Sequence, residues 1–151
     1  MTTDVALNTT RGYFDFDWTE SGDISTVQSL DTAILMSIFE EVRATAAEVP
    51  ESNLRRGWLG NESTPDFEQG SKAWQFEQER IAGSALAELG VVISNGLQWL
   101  IDDEIATSVE VEQPRLKDGK VVVFINLGRD GSPVERKFFE LWDATGPGLN
   151  F

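Results

Sequence analysis

The chain has 151 residues, 40% of them hydrophobic and including nine Phe and five Trp, which is enough apolar surface for one folded domain with short tails. Its net charge is −14, from 26 acidic and 12 basic residues, a field that repels nucleic acid and anionic membranes and suits a basic partner. There is no Cys and no His, which excludes disulfides, thiolate nucleophiles, Cys/His zinc sites and every His-based triad.

Residues 1–12 read as a loose polar arm without the apolar core of a signal peptide. No apolar run along the chain approaches the roughly 20 residues of a membrane span. Tyr13–Trp18 alternates strictly, with Phe14, Phe16 and Trp18 on one side and Tyr13, Asp15 and Asp17 on the other. That pattern predicts a half-buried strand, and the turn-forming residues of Thr19–Asp23 predict a hairpin after it. Ser29 is the expected N-cap of a first helix, with Asp31 in its first turn. Ile34, Leu35, Ile38, Phe39 and Val42 share one helical face, so this helix is expected to run to about Ala46, before Pro50.

Residues 48–70 form a long irregular link containing Pro50, Gly57, Gly60, Pro65 and Gly70. Links of that length are uncommon in small domains and often functional. A second helix is expected from Ser71, carrying Trp74 and Ile81. Gly83-Ser84 then begins a third, with Leu86, Leu89, Ile93, Leu97 and Leu100 at spacings of three and four. Gly90 and Gly96 lie inside it, each at a cost of about 1 kcal/mol relative to Ala. They are either tolerated or permit close approach of a neighbouring backbone.

From Thr107 the period changes to two. Val109 and Val111 alternate with polar residues, and Lys117-Asp118-Gly119-Lys120 is a hairpin turn. Val121–Leu127 is apolar on both faces and reads as a central strand. Arg129–Ser132 is a second turn, Val134–Leu141 a third strand, and the tail 143–151 is expected to be extended. The layout is α+β: an N-terminal strand or hairpin, three helices, and a C-terminal three-stranded antiparallel meander.

Few constellations carry chemistry. Asp102-Asp103-Glu104 stands at a helix C-terminus, where the dipole disfavours acids. The adjacent cations Arg55-Arg56 are expected to dock there. Paired carboxylates serve glycoside hydrolysis and carboxylate sets hold Mg²⁺, but no spacing among 26 acids singles out a pair. We assign no catalytic, metal or cofactor residue. Trp58, Trp74, Trp99 and Trp142 are core anchors or an aromatic platform. Gly128 and Gly131 sit at a hairpin rather than in a phosphate loop. The meander must leave sheet edges, which template strand addition unless blunted, here by Glu135 and Lys137.

Four motifs in order carry a resemblance: Leu54-Arg55-Arg56-Gly57-Trp58-Leu59-Gly60, Gly70-Ser71-Lys72-Ala73-Trp74, Leu97-Gln98-Trp99-Leu100-Ile101-Asp102-Asp103 and Phe138-Phe139-Glu140-Leu141-Trp142. Over residues 13–142 the chain resembles the Mu-like phage tail family, related to the sheath-initiator wedge proteins of contractile tails. It departs at Leu59, where a second aromatic is common, and in Lys72–Phe76, usually more basic and aliphatic. The resemblance implies a single domain over 13–142, an inner-baseplate position in the virion after assembly in the host cytoplasm, and six copies around the tail. It implies no enzyme activity, no cofactor, no nucleic acid and no membrane. Other wedge proteins would be met by Arg55, Arg56, Trp58, Trp74, Asp102 and Asp103. The tail sheath protein would be met by Val121, Val123, Ile125, Val134, Phe138 and Phe139, its strands adding to the sheet. The competing readings are an acidic lysozyme-like glycoside hydrolase and an acidic inhibitor or DNA mimic.

Overall fold

The computed structural model describes residues 4–8, 15–24, 26–27, 30–64, 66–77 and 83–144. The chain divides into two compact units, Met1–Met36 and Ser37–Phe151. In the first, β1 (Asp4–Val5) pairs antiparallel with β4 (Thr26–Val27), and β2 (Leu7–Asn8) with β3 (Asp15–Phe16). A bridge between Trp18 and Ile24 closes the expected hairpin, with Gly22 at φ 87° in its turn. Of the expected aromatic side, Phe14 lies outside the described residues, and Phe16 and Trp18 are not half-buried. Phe16 and Trp18 are exposed and meet edge to face, with ring centroids 6.5 Å apart.

Helix α1 (Asp31–Phe39) runs across the division and stops seven residues before the expected Ala46; the proposed cap Ser29 lies outside the described residues. Glu41 instead bridges Ser71 in parallel, and the Val42 and Ala44 N–H groups donate to Ser71 O and Arg55 O, both at 3.0 Å. These long-range bonds draw residues 40–44 into an extended segment and override the helical pattern. Thr45 then opens a new turn. Its N–H donates to Glu48 Oε2 (3.1 Å) and its hydroxyl accepts from the Glu48 N–H (3.3 Å), the reciprocal arrangement of a capping box.

The link that follows holds a 3-10 turn (Ser52–Leu54) and a short helix, α2 (Gly60–Ser63). The expected second helix is a 3-10 turn over Ala73–Phe76; Ile81 lies outside the described residues. The third is α3 (Gly83–Gly96), followed after a turn by α4 (Trp99–Asp102). Gly83–Asp102 is, contrary to expectation, long and apolar enough to cross a membrane by length and composition. In this fold its stripe of Leu89, Ile93, Leu97 and Leu100 is fully buried. The chain leaves α4 through Glu104 at φ 58°, and the Ile105 and Ala106 N–H groups both return to Leu100 O at 2.9 Å. This is a left-handed helix stop built without glycine.

The sheet has four strands rather than three: β5 (Ser108–Val111), β6 (Arg115–Lys117), β7 (Lys120–Gly128) and β8 (Glu135–Asp143). The expected first strand is split because Pro114 supplies no ladder N–H and is itself fully buried. Both pieces pair antiparallel with β7, which pairs with β8 on its other side. Asp118 and Gly119 both have positive φ (52° and 76°), as a two-residue I′ hairpin turn requires. Val121, Val123, Ile125 and Leu127 point to one face and are fully buried there, while α3 packs along β5. The α+β layout is thus the one the sequence predicts.

Glycines set the closest approach. A Cβ on Gly96 would stand 3.0 Å from Ser37 O and Ser71 Cβ and 3.1 Å from Gly70 O. The Gly96→Ala chain is expected to lose about 1–3 kcal/mol through overpacking, despite alanine's advantage of about 1 kcal/mol in a helix. Gly83→Ala, which meets open space, should not be destabilised; urea unfolding compares the two. Glu104→Gly removes both a left-handed non-glycine residue and an acid at the helix's negative end, and should raise stability by roughly 1 kcal/mol in the same assay.

Candidate assembly interface

Residues 37–44 are the scaffold to which three of the four sequence motifs hydrogen-bond. From the second motif, Ser71 is buried and makes four bonds. Its hydroxyl donates to Ile38 O (2.6 Å) and accepts from the Ala73 N–H (3.1 Å). Its own N–H donates to Glu40 O (2.9 Å), and its carbonyl accepts from the Val42 N–H (3.0 Å). Gly70 makes this possible. Its φ is 106°, and a Cβ would collide with the Glu40 carbonyl. Trp74 Nε1 donates to Val42 O at 2.9 Å.

The first motif adds the Trp58 N–H to Glu41 O (2.7 Å) and Arg55 O to the Ala44 N–H. Gly57, at φ 118°, lets the loop pass Arg43, whose Cβ would stand 2.9 Å from a Cβ there. Arg43 in turn donates to Arg56 O (3.1 Å) and Ser52 O (2.9 Å). The third motif adds Trp99 Nε1 to Ser37 Oγ at 2.8 Å. Trp142, from the fourth, meets Phe39 edge to face at 6.5 Å.

The expected docking of Arg55-Arg56 on Asp102-Asp103 does not form. Arg55 donates through Nε to Val49 O (2.8 Å) and through Nη2 to Pro50 O (2.7 Å). Arg56 pairs with Glu41 and lies 5.0 Å from the Trp74 ring centroid. Loop carbonyls engage Arg55 and the Glu41 carboxylate engages Arg56, and Asp102 accepts from Gln98 Nε2 at 3.2 Å instead. Arg56 also faces Glu77, whose carboxyl burial pushes up while the guanidinium opposes that rise. Of the six residues assigned to the wedge side, Arg55 and Trp74 are thus engaged in holding the loop. Trp58 is 44% exposed, and Asp102 and Asp103 are exposed.

A cleft of about 470 Å³ opens between the 66–72 segment and α3–α4. Phe67 and Trp99 form an edge-to-face wall (6.3 Å), and Asp66, Glu68 and Asp102 line it beside an ion pair between Lys72 and Glu48 (2.8 Å). The Lys72 hydrogen bond, with the Thr45 N–H, holds the Glu48 carboxyl below the usual range. Among the described residues no group of three or more Asp or Glu is placed to hold a metal ion.

The six residues assigned to the sheath side separate by depth. Val121, Val123, Ile125 and Phe139 are buried, and β7 is paired along both edges. Val134 (65% exposed) and Phe138 (43%) lie at the surface before and within β8. The other edge of β8 has no strand partner among the described residues.

A family model described as "Phage protein GP46" matches residues 30–133. The chain belongs to this family. It is 31% identical to the Mu-like prophage FluMu protein gp46 of Haemophilus influenzae, over 76% of this chain and 79% of that one. It is 30% identical to the baseplate protein gp46 of Escherichia phage Mu, over 90% of this chain and 94% of that one. The Mu-like resemblance read from the motifs is therefore shown. Within the GP46 match lie the whole 37–44 scaffold and the three motifs that bind it.

Glu40 sits at the tightest point of that scaffold. Its Oε2 is buried without a partner, and burial raises its carboxyl above the ordinary Glu value. A raised acid stabilises the fold below its unfolded value, near 4.3, and that stability is lost as pH rises through the folded value. Glu40→Gln should therefore be more stable than the parent at pH 7, by roughly 1 kcal/mol. The gain should shrink toward zero as pH falls to about 4; thermal unfolding across pH reads it.

Proposed function

We propose that this chain is a structural component of a contractile-tail baseplate, a wedge protein that starts the sheath by accepting a strand along β8. The baseplate assignment of the phage Mu relative supports the setting. The observation that carries the mechanism is the outer edge of β8, a strand of nine residues, which no strand among the described residues covers. The opposite edge is a poorer template, since Pro114 divides it into pieces of four and three residues. Backbone hydrogen bonds along an open edge supply affinity with no catalytic group, and the chain acts as scaffold rather than enzyme.

In this reading the exposed Val134 and Phe138 flank the incoming sheath strand. Val121, Val123, Ile125 and Phe139 act only by supporting the sheet from within. Trp58 and the Asp102-Asp103 end contact the other wedge proteins, and Arg55, Arg56 and Trp74 hold the loop in shape for them. Six copies around the tail axis, assembled in the host cytoplasm, supply avidity to a contact that is short in any one copy.

Hydrogen exchange tests this directly. On mixing with the sheath protein of the same phage, alternate amides of β8 should gain protection, because every second N–H of an edge strand points outward. The amides of β5, β6 and β7 should not change. Complex formation with no slowing in β8 would sink the strand-addition mechanism.

A further inference from the structure

The sheet face opposite the buried valines bears cations held on aromatic rings. Phe124 and Phe138 are register partners on this face, tilted at 48° with centroids 5.1 Å apart. Arg136 lies 3.8 Å and Arg115 5.3 Å from the Phe124 centroid, and Lys117 Nζ lies 5.7 Å from that of Phe138. Arg136 is neutralised. Its Nε and Nη2 donate to the two oxygens of Glu112 at 2.8 and 3.0 Å, which holds that carboxyl below its usual range. Lys120 is paired with Glu140 at 3.4 Å.

Arg115 and Lys117 are different. Both are exposed, and no carboxylate among the described residues lies within ion-pair distance of either. Lys117 also stands directly opposite Lys120 in the ladder, a like-charge pairing that is unfavourable in an isolated sheet. Other cations of the chain, including Arg43, Arg55, Arg56 and Lys72, each end on a carbonyl or carboxylate oxygen. A protein with 26 acids and 12 bases thus leaves two neighbouring cations on one face with ring contacts and no ion pair, the Glu112 carboxylate acting on Arg115 only at longer range.

We propose that this face docks an acidic segment of a partner protein, with carboxylates at alternate positions meeting Arg115 and Lys117. Residues two apart on a strand project on one side about 6.7 Å apart, the spacing that alternate side chains of an extended acidic segment reproduce. The rings shield the cations from water on one side, which strengthens a carboxylate contact on the other. This surface shares Phe138 with β8 but lies on the face of the sheet rather than at its edge, and does not depend on strand addition.

The test is fluorescence anisotropy of a labelled peptide alternating Glu and Thr, titrated with the full chain at low salt. Saturable binding is expected, weakened about tenfold or more by Arg115→Glu with Lys117→Glu, the loss of two charge-assisted contacts. Lys72→Glu, a single charge reversal elsewhere, should leave it within about twofold. Far-UV circular dichroism and melting temperature confirm that the variants are folded, and the neutral pair Arg115→Gln with Lys117→Gln should also lose binding. Absence of saturable binding, or equal weakening by Lys72→Glu, overturns the proposal. Tighter binding of a short single-stranded oligonucleotide through the same two residues overturns it in favour of nucleic acid. A salt-sensitive dimer that sedimentation shows to vanish in the Arg115/Lys117 variants overturns it in favour of a second copy.

Discussion

Everything in the larger unit hangs on the hydrogen bonds that receive the main chain as it leaves α1. A helix end exposes carbonyls that need donors, and an extended segment without a neighbouring strand exposes more of both kinds. Here one buried serine answers the Ile38 and Glu40 carbonyls and the Val42 amide. Two indoles and the loop backbone answer Val42 O, Glu41 O, Ala44 N–H and the Ser37 hydroxyl. Since an unpaired buried backbone group costs on the order of 1–3 kcal/mol, this small region governs whether the loop and α4 pack on residues 37–44. Gly70 and Gly96 are the two positions where the absence of a side chain lets the three backbones come that close.

This explains why the motifs that mark the family in the sequence are not simply a map of its contact surface. Arg55, Gly57, Gly70, Ser71, Trp74 and Trp99 all serve the scaffold. Exposed beside them are Trp58, the Asp102-Asp103 end and the cationic sheet face, which the proposed reading gives to partners together with the β8 edge. Charge is divided accordingly. The acids are spread over the surface, whereas the sheet face concentrates cations on rings.

Much of the fold was legible in local pattern. The Asp118-Gly119 turn, the doubly apolar central strand and the Leu89–Leu100 stripe each follow from periodicity and turn chemistry, and each forms where it was read. What failed did so for nameable reasons. The helical face of Ile34–Val42 continues past the true end of α1 because Val42 is buried as an extended residue too, beside the bridge that joins Glu41 to Ser71, 30 residues away. The Thr45-Ala46-Ala47-Glu48 capping box was the local sign that a new turn begins there. Pro114 likewise announced the split strand. The arginine pair was misplaced because backbone carbonyls of a tight loop, which no residue pattern displays, take Arg55, and the fold brings the Glu41 carboxylate to Arg56.

The irregularity at the far end of β8 bears on how that strand behaves in company. Val121 pairs with Trp142 and Val122 with Glu140, so Leu141 is one residue too many for the ladder. A bulge of this kind bends and twists its strand and interrupts regular pairing. Any polypeptide laid along the outside of β8 from Glu135 therefore finds even footing for six residues, roughly 20 Å, and then a step. The geometry works as a ruler. It admits a short guest of fixed length and denies the flat, unbroken rail along which identical chains stack into fibres.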